Sequence, residues 1–500
     1  MSPISRRTAL SILALSAIGT TSSCERANAA APAHRPRKML KLSDNAVIRE
    51  NSLPGDNGWK VTGGSREPDD VARQIQGYAS RTSVNVGESL DFHVSVAGGK
   101  AFTVAVYRLG QYGKAGGRRM VSSGRLRGAE QPVPTADDTT GLIECDWPSS
   151  WTLDVGENWT SGYFLAVFET EDGYRSGTPF VVRDDRRRAD FLVVVPFSTY
   201  QAYNFWPADG STGKSLYKGY AGPGQIGGGA ERAFQVSFDR PYSRHGMPSW
   251  SNLDIAAVRW LESTGFDVAY ASSVDLHEQR VRPERHAALL FPGHDEYWSR
   301  AMRDTAEKAV DRGTHLAFFA ANNVYWHIRF DAAADGRRNR VVTCYKSASD
   351  PDRDGNGATT TWRDLDDQAE QRLLGVQYNG ILSSPVPLVI NESGHWFWEG
   401  TGVTDGDTIA GLVAVEADGR NPKIPVSRAA SQTLLSHTAY VDRNGRDHVQ
   451  STSLYETAGG TLVFAAATFH WNLALIKSTY ADKRVRLATK NLLVRMLRGR

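Results

Sequence analysis

Three short runs in this sequence carry residue types that do chemistry. They are Thr199-Tyr200-Gln201-Ala202-Tyr203-Asn204, then Gly293-His294-Asp295-Glu296-Tyr297-Trp298, then Ala321-Asn322-Asn323. Each follows an apolar run of strand character: Phe191 to Val195, Ala287 to Phe291 and Leu316 to Ala320. In an open parallel sheet, sites form beyond the carboxyl ends of the strands. If these strands share one sheet, phenols, an imidazole, carboxylates and amides meet in one crevice. Packing does not call for His-Asp-Glu at a strand end. Three ionisable side chains in a row beside apolar core are costly unless they are used. An acid before a helix complements that helix's dipole, which accounts for one carboxylate but not for the run and the tyrosines.

The elements that would position these runs follow from hydrophobic period. From Ala189 onward, strands alternate with helices. Leu253, Ala256, Ala257, Trp260, Leu261 and Thr264 recur at helical spacing, with Ser251 or Asn252 as a cap and Gly265 as a stop. Phe266 to Tyr270 reads as a strand, and Ser299 to Arg312 as a helix closed by Gly313. Such alternation predicts right-handed crossovers and a mainly parallel sheet over residues 189–500. Residues 350–460 show only short strands and Trp-rich loops, and Ala481 to Leu497 reads as a closing helix. Its basic residues suit a helix C-terminus and a solvated face.

Upstream, over residues 69–184, the period is two. Leu90, Phe92, Val94 and Val96 alternate with Ser89, Asp91, His93 and Ser95, and Phe102, Val104 and Val106 repeat the pattern. Tyr163 to Phe168 is apolar throughout. Gly/Pro/Asp clusters separate these runs, as in an antiparallel, Ig-like β-sandwich. Arg183-Asp184-Asp185-Arg186-Arg187-Arg188 reads as a solvated linker, and residues 30–68 as a Pro/Arg-rich tether.

Residues 1–29 have the form of an export signal: Arg6 and Arg7, the apolar stretch Thr8 to Gly19, and Ala27-Asn28-Ala29 as a cleavage site. Ser5-Arg6-Arg7 with Leu10 resembles the twin-arginine pattern; an ordinary secretory signal holding two arginines is the other reading. Cys24 follows Thr21-Ser22-Ser23, without the aliphatic residue usual before a lipid-acceptor cysteine. The expectation is an exported protein, periplasmic, extracellular or at the cell surface, with its signal removed. No later stretch is long and apolar enough for a membrane span.

Composition excludes other classes. The 500 residues hold 58 Lys+Arg and 55 Asp+Glu, a net charge of +3 that gives no electrostatic case for nucleic acid or an anionic membrane. A 40% hydrophobic and 10% aromatic content excludes a mostly disordered chain. Beyond the signal only Cys145 and Cys344 remain, in different predicted domains, which favours two buried thiols over a disulfide scaffold.

Taken in order, Thr199 to Tyr203, Phe238-Asp239-Arg240-Pro241-Tyr242, Gly293 to Trp298 and Ala321-Asn322-Asn323 resemble the large subunit of N,N-dimethylformamidase. More narrowly, they resemble the family built on that subunit's C-terminal domain, over roughly residues 190–480. The resemblance implies a mononuclear iron held by two tyrosines and a glutamate. Matched residue by residue, the ligands fall on Tyr203, Tyr242 and Glu296, with Tyr200 a rival for the first. His294 matches a histidine behind the ligands, Thr199 a small hydroxyl residue, Asn322 a pocket amide and Glu416 a further pocket glutamate. Phenolates and a carboxylate are hard oxygen ligands suited to Fe(III). Such an ion polarises an amide carbonyl and acidifies water. His294 would move the proton, and Asn322 would donate to the oxyanion. The resemblance also implies a class I glutamine-amidotransferase-like fold. The loop at 293–296 has no cysteine, which removes thiol chemistry. A small partner subunit, as the dimethylformamidase has, or a homo-oligomer is open.

The leading function is therefore an exported, iron-dependent hydrolase of amide or related C–N bonds acting on a small-molecule amide. A polysaccharide- or cell-wall-binding protein on a degenerate scaffold, and a glycosidase using Glu296 with a second acid, are the competing readings. Gly210-Ser211-Thr212-Gly213-Lys214-Ser215 imitates a phosphate loop but has Ala208 where its first glycine belongs. Asp350 to Gly355 imitates a calcium loop but has Thr361 at the twelfth position. Gly222 to Gly229 reads as a loop over the site, and Trp396-Phe397-Trp398 beside His395 as a packed loop or a sugar platform.

Overall fold

The computed structural model describes residues 45–63, 66–347, 350–351, 357–365, 367–476 and 479–498. The export signal, Cys24 and most of the calcium-like run lie outside the described residues. The described residues, from Asn45 on, belong to one compact unit.

The N-terminal part is a two-sheet sandwich. Its strands are β1 (Ile75–Ala79), β2 (Ser83–Asn85), β3 (Ser89–Val96), β4 (Phe102–Leu109), β5 (Gly117–Ser122), β6 (Trp151–Asp154), β7 (Gly162–Thr170) and β8 (Arg175–Arg183). One sheet has the order β1-β3-β6 and the other β2-β8-β7-β4-β5, antiparallel except for the β2–β8 pair. Leu90, Phe92, Val94 and Val96 face Val104, Val106, Phe164, Phe168 and Phe180 across the interior, as the period-two pattern requires. The ring of Phe92 lies 5.9 Å from that of Phe168 and 5.7 Å from that of Phe180. Tyr163 to Phe168 lacks alternation for a physical reason. The outer face of β4 and β7 is covered too, because Tyr107, Leu109, Tyr163, Leu165 and Val167 pack into the core of the next region.

That region is built on a seven-stranded sheet. Its strands are β9 (Phe191–Val195), β10 (Val268–Ser272), β11 (Ala288–Phe291), β12 (His315–Phe318), β13 (Ala429–Leu434), β14 (Ser453–Thr457) and β15 (Leu462–Ala465). The order is β10-β9-β11-β12-β15-β14-β13. The first five strands are parallel, with Leu290 of β11 opposite Val193 and Ala317, and β14 and β13 close the edge antiparallel. Helices α2 (Ser251–Ser263), α3 (Arg300–Asp311) and α4 (Lys483–Arg498) lie where the spacing predicts them. The difference at α2 is its start: Ser251 is already helical, and the preceding Trp250 is in the left-handed region.

Two expectations change. The tether expected over 30–68 is, from Asn45 on, a packed segment. Asn45 caps a short helix, Ala46–Asn51, and both Val47 and Glu50 are buried. The run after β9, expected as a loop, is a helix, α1 (Phe197–Tyr203). Apart from β13, residues 377–450 resist a periodic reading because they form short two-stranded pairs, such as Gln377–Ile381 with Glu416–Gly419. Cys145 and Cys344 are both free and buried. Trp396–Trp398 is a single packed 3-10 turn with Phe397 and Trp398 buried. No helix among the described residues is long and apolar enough to cross a membrane.

Candidate metal centre

Strands β9, β11 and β12 are neighbours, so their three C-terminal runs do meet. The helical period of α1 decides which side chains arrive. Thr199 and Tyr203 are four residues apart and share a face, whereas Tyr200 stands about 100° from Thr199 and about 60° from Tyr203. The Thr199 hydroxyl accepts the backbone N–H groups of Glu296 (3.0 Å) and Tyr297 (3.2 Å), clamping the run after β11. The Tyr203 hydroxyl donates to Glu296 Oε2 at 2.8 Å. Tyr200 turns the other way and donates to Asp254 Oδ2 on α2 at 2.7 Å.

The Glu296 carboxylate is buried and is the focus of the site. The Tyr217 hydroxyl reaches both its oxygens, at 2.8 and 2.7 Å, and the Tyr203 and Tyr217 rings stack at 4.5 Å. His294 Nε2 lies 3.1 Å from Glu296 Oε2 and 3.2 Å from the Tyr203 oxygen, while its Nδ1 donates to the Ala321 carbonyl. Asn322 sits in the left-handed region at φ 55°, where asparagine is among the better-tolerated residues. Its Nδ2 donates to Glu416 Oε2 at 3.0 Å and to Glu296 Oε1 at 3.3 Å. Glu416 Oε2 stands 3.9 Å from His294 Nε2. The Lys346 ammonium lies 3.4 Å from the centre of the Tyr217 ring, a close cation–π contact.

Tyr203, Glu296, His294, Asn322 and Glu416 are thus brought together. Tyr242 is not: among the described residues, the phenols on Glu296 are those of Tyr203 and Tyr217. Tyr242 is packed in the core, where the charges of Arg240 and Arg340 act on it. Tyr217 and Lys346 were missed. Tyr217 lies in an irregular polar stretch, and its one signal is that Leu216-Tyr217 is the sole apolar pair between Gly210 and Gly219. Asn322 also takes a different part. Both Nδ2 hydrogens go to carboxylates, which makes it a positioning residue for Glu296 and Glu416 rather than a free oxyanion donor.

Electrostatics separate the two glutamates. Burial alone would raise both carboxyls. At Glu296 the His294 hydrogen bond and charge, the Lys346 charge and the Tyr217 hydroxyl outweigh burial and hold it below its usual value. Glu416 is raised by burial and by the Glu296 charge. Glu296 therefore keeps its charge where Glu416 tends to hold a proton. Burial opposes a charged His294, but the Glu296 hydrogen bond and the charges of Glu416 and Glu296 push it up to about 9. Burial and then the Glu296 charge push both phenols well above their ordinary value, so they act here as donors.

The donor chemistry fits one hard cation. Among the described residues, no group of three or more His, Cys, Asp and Glu side chains is arranged to hold a metal. Two phenol oxygens and a carboxylate on one focus form a set of a different kind, all hard oxygen. The buried Asn322 Oδ1 beside them has no hydrogen-bond partner.

Behind the site, Asp254 packs under Gly293, so closely that a Cβ at Gly293 would fall inside its carboxylate. Burial pushes Asp254 up to about 7 from an ordinary 3.8, despite the Tyr200 hydrogen bond. The folded state then holds this proton longer than the unfolded chain does. Its contribution to stability is fully present below about pH 4 and is lost as pH rises to about 7. Asp254→Asn should raise the melting temperature relative to the parent at pH 8 and leave it level near pH 4. A difference that does not grow with pH would contradict this.

A two-sheet sandwich leading into a mainly parallel sheet, with phenols and carboxylates gathered at the strand ends, defines the class. Residues 103–482 match the family described as N,N-dimethylformamidase beta subunit-like, C-terminal, and the chain belongs to that family. The match starts in β4, so the likeness takes in most of the sandwich and not only the region after 190. The N,N-dimethylformamidase beta subunit of Paracoccus aminophilus is 36% identical over 90 residues, and that of Alcaligenes sp. 32% over 90 residues. Each match covers 17% of this chain and 12% of the relative's length. A superoxide reductase (neelaredoxin) from Ignicoccus hospitalis aligns at 10% identity over 22% of this chain and 83% of its own, with a TM-score of 0.13, too low to bear on the fold.

Proposed function

We propose that this chain hydrolyses linear amides with the help of a mononuclear iron held by Tyr203, Tyr217 and Glu296. The observation that carries the reading is the convergence of two phenols on one buried carboxylate, in a chain of this family. When bound there, trivalent iron supplies Lewis acidity toward a carbonyl oxygen and toward water. Its charge would also reverse the sign of the field that now keeps both phenols protonated.

The remaining chemistry belongs to the chain. In hydrolysis, a water oxygen bonds to the amide carbon, the C–N bond breaks, and the nitrogen leaves with a proton. His294 Nε2 stands at hydrogen-bond distance from Glu296 and Tyr203, and with a bound cation offsetting the carboxylate charges that otherwise keep the ring protonated, it would be positioned to take the water's proton. Its Nδ1 contact with the Ala321 carbonyl fixes the ring. Glu416, which burial and Glu296 incline to hold a proton, is placed to give one to the leaving nitrogen. Asn322 holds the two carboxylates apart and in register. The same pairing of a charged and a protonated carboxyl would serve a glycosidase. Amide and glycoside substrates therefore belong in one assay.

Two further readings join the proposal. The α/β region is of the class I glutamine-amidotransferase type, with Glu296 and its neighbours where that type has its reactive strand-end loop. The protein is exported on the signal at residues 1–29, which lie outside the described residues. The test is release of amine from N,N-dimethylformamide and simple N-alkylformamides by iron-loaded protein, with chelated protein as the control. Turnover that requires iron is expected. Cleavage of glycosides without amide turnover would overturn the reading.

A further inference from the structure

A cavity of about 280 Å³ opens against the wall of the site, sharing Tyr203 with it. Its other walls include Phe205, Lys218, Tyr242, Arg244 and His245. The charged residues among its lining are all cationic, and no carboxylate lines it among the described residues. This is not the balance of the whole chain, where 58 basic residues face 55 acidic ones.

Lys218 is half-buried and held over a ring, while Arg244 is exposed at the rim with its backbone fixed. The Lys218 ammonium lies 4.6 Å from the centre of the Phe205 ring and makes no ion pair among the described residues. Lys218 directly follows Tyr217, so one segment presents a phenol to Glu296 and an ammonium to the cavity. Arg244 sits in the left-handed region at φ 60°, an unfavourable conformation for an L residue. Its backbone N–H is fixed on the buried Asp70 carboxylate at 2.7 Å, and its guanidinium has no ion-pair partner among the described residues. Asp70 also accepts from Ala208 N–H and the Gln76 amide, so it is spent on the loop behind the cavity wall. His245 Nδ1 accepts the Met247 N–H at 3.2 Å, which leaves Nε2 to carry the hydrogen. Phe205 and Tyr242 add apolar surface. Two cations without an ion-pair partner among the described residues, Arg244 with the Asp70 charge behind it, and an N–H donor over aromatic walls form a receptor for an anionic group on a short carbon chain.

We infer that the cavity beside Tyr203 is a subsite for the carboxylate of the substrate, and that this chain prefers anionic linear amides of the N-acyl amino acid class over neutral ones. The inference rests on the amide-hydrolase reading for turnover, but not for binding. The probes are N-formylglycine and N-isobutylformamide, which match in size and differ in charge. Turnover of both, and calorimetric binding of both, are measured on the iron-loaded parent, Lys218→Gln and Arg244→Gln. The expected result is kcat/KM at least about tenfold higher for N-formylglycine, with that ratio falling about tenfold for each cation removed. The salt dependence should fall with it. Equal kcat/KM for the two probes, unmoved in the variants, overturns the subsite and leaves the hydrolase standing. Binding of N-formylglycine that is lost in the variants, without turnover of either probe, supports the subsite and overturns the hydrolase. Absence of both turnover and binding overturns both.

Discussion

Glu296→Gln should abolish amide turnover and strip the protein of iron, with a loss beyond the about 10- to 100-fold typical of residues that only support a ligand. The carboxylate takes the hydroxyls of Tyr203 and Tyr217, the amide of Asn322 and the imidazole of His294. Glutamine is nearly the same size, yet it replaces one acceptor oxygen with a donor facing other donors. It also removes the negative charge that draws His294 and Lys346 toward the site. Metal per chain and turnover should fall together. Because Glu296 is held below its usual value, its charge favours the fold, so the melting transition is followed beside metal and turnover, and a metal-free variant that still unfolds cooperatively separates the loss from unfolding. A Glu296→Gln protein that keeps its iron would place the ligand elsewhere.

Arg108→Ala should cost about 3–5 kcal/mol of folding stability, the range expected when one partner of a buried ion pair is deleted. Arg108 lies on β4 of the sandwich and Glu262 on α2 of the neighbouring region; both side chains are 0% exposed. The guanidinium makes a two-pronged contact to Glu262 at 2.9 and 2.7 Å and also reaches the Ser161 carbonyl. Glu262 accepts in addition from Asn51 and Tyr270. Removing the arginine leaves that carboxylate buried with its cation gone. The midpoint of chemical unfolding should drop sharply with little change in slope. Arg108→Met with Glu262→Leu, which removes both charges, should recover much of the loss. Equal damage from the single and double variants would contradict the account.

How far the sequence reveals this molecule depends on which physical signal each part carries. Strand β9, Phe191 to Val195, was readable to the residue because a strand buried on both faces must be apolar throughout. Helices α2 and α3 were readable because one apolar stripe at helical period has one interpretation. Helix α1 was not. It has only seven residues, follows a proline and is rich in Tyr, Ser and Thr, which favour helix weakly. That miss left Tyr200 and Tyr203 as rivals: three residues apart on a helix they stand only about 60° from each other, and it is their partners, Asp254 for one and Glu296 for the other, that separate them. His294, Glu296 and Asn322 stood out because polar residues at strand ends need a reason. Tyr217 and Lys346 did not, because irregular segments place side chains by tertiary contact, which leaves no period. The Arg108–Glu262 pair spans 154 positions, and nothing local in either strand or helix announces its partner.

The central claim is that Tyr203, Tyr217 and Glu296 hold a metal, and it is tested most directly by iron content read with the visible spectrum. The purified parent, Tyr217→Phe and Tyr242→Phe would be measured side by side after iron loading. The account predicts about one iron per chain in the parent, with a tyrosinate charge-transfer band. It predicts that both signals are retained in Tyr242→Phe, whose phenol is packed away from Glu296, and lost or shifted in Tyr217→Phe. Iron and colour that survive in Tyr217→Phe but vanish in Tyr242→Phe, or a colourless parent that takes up no iron, would contradict it.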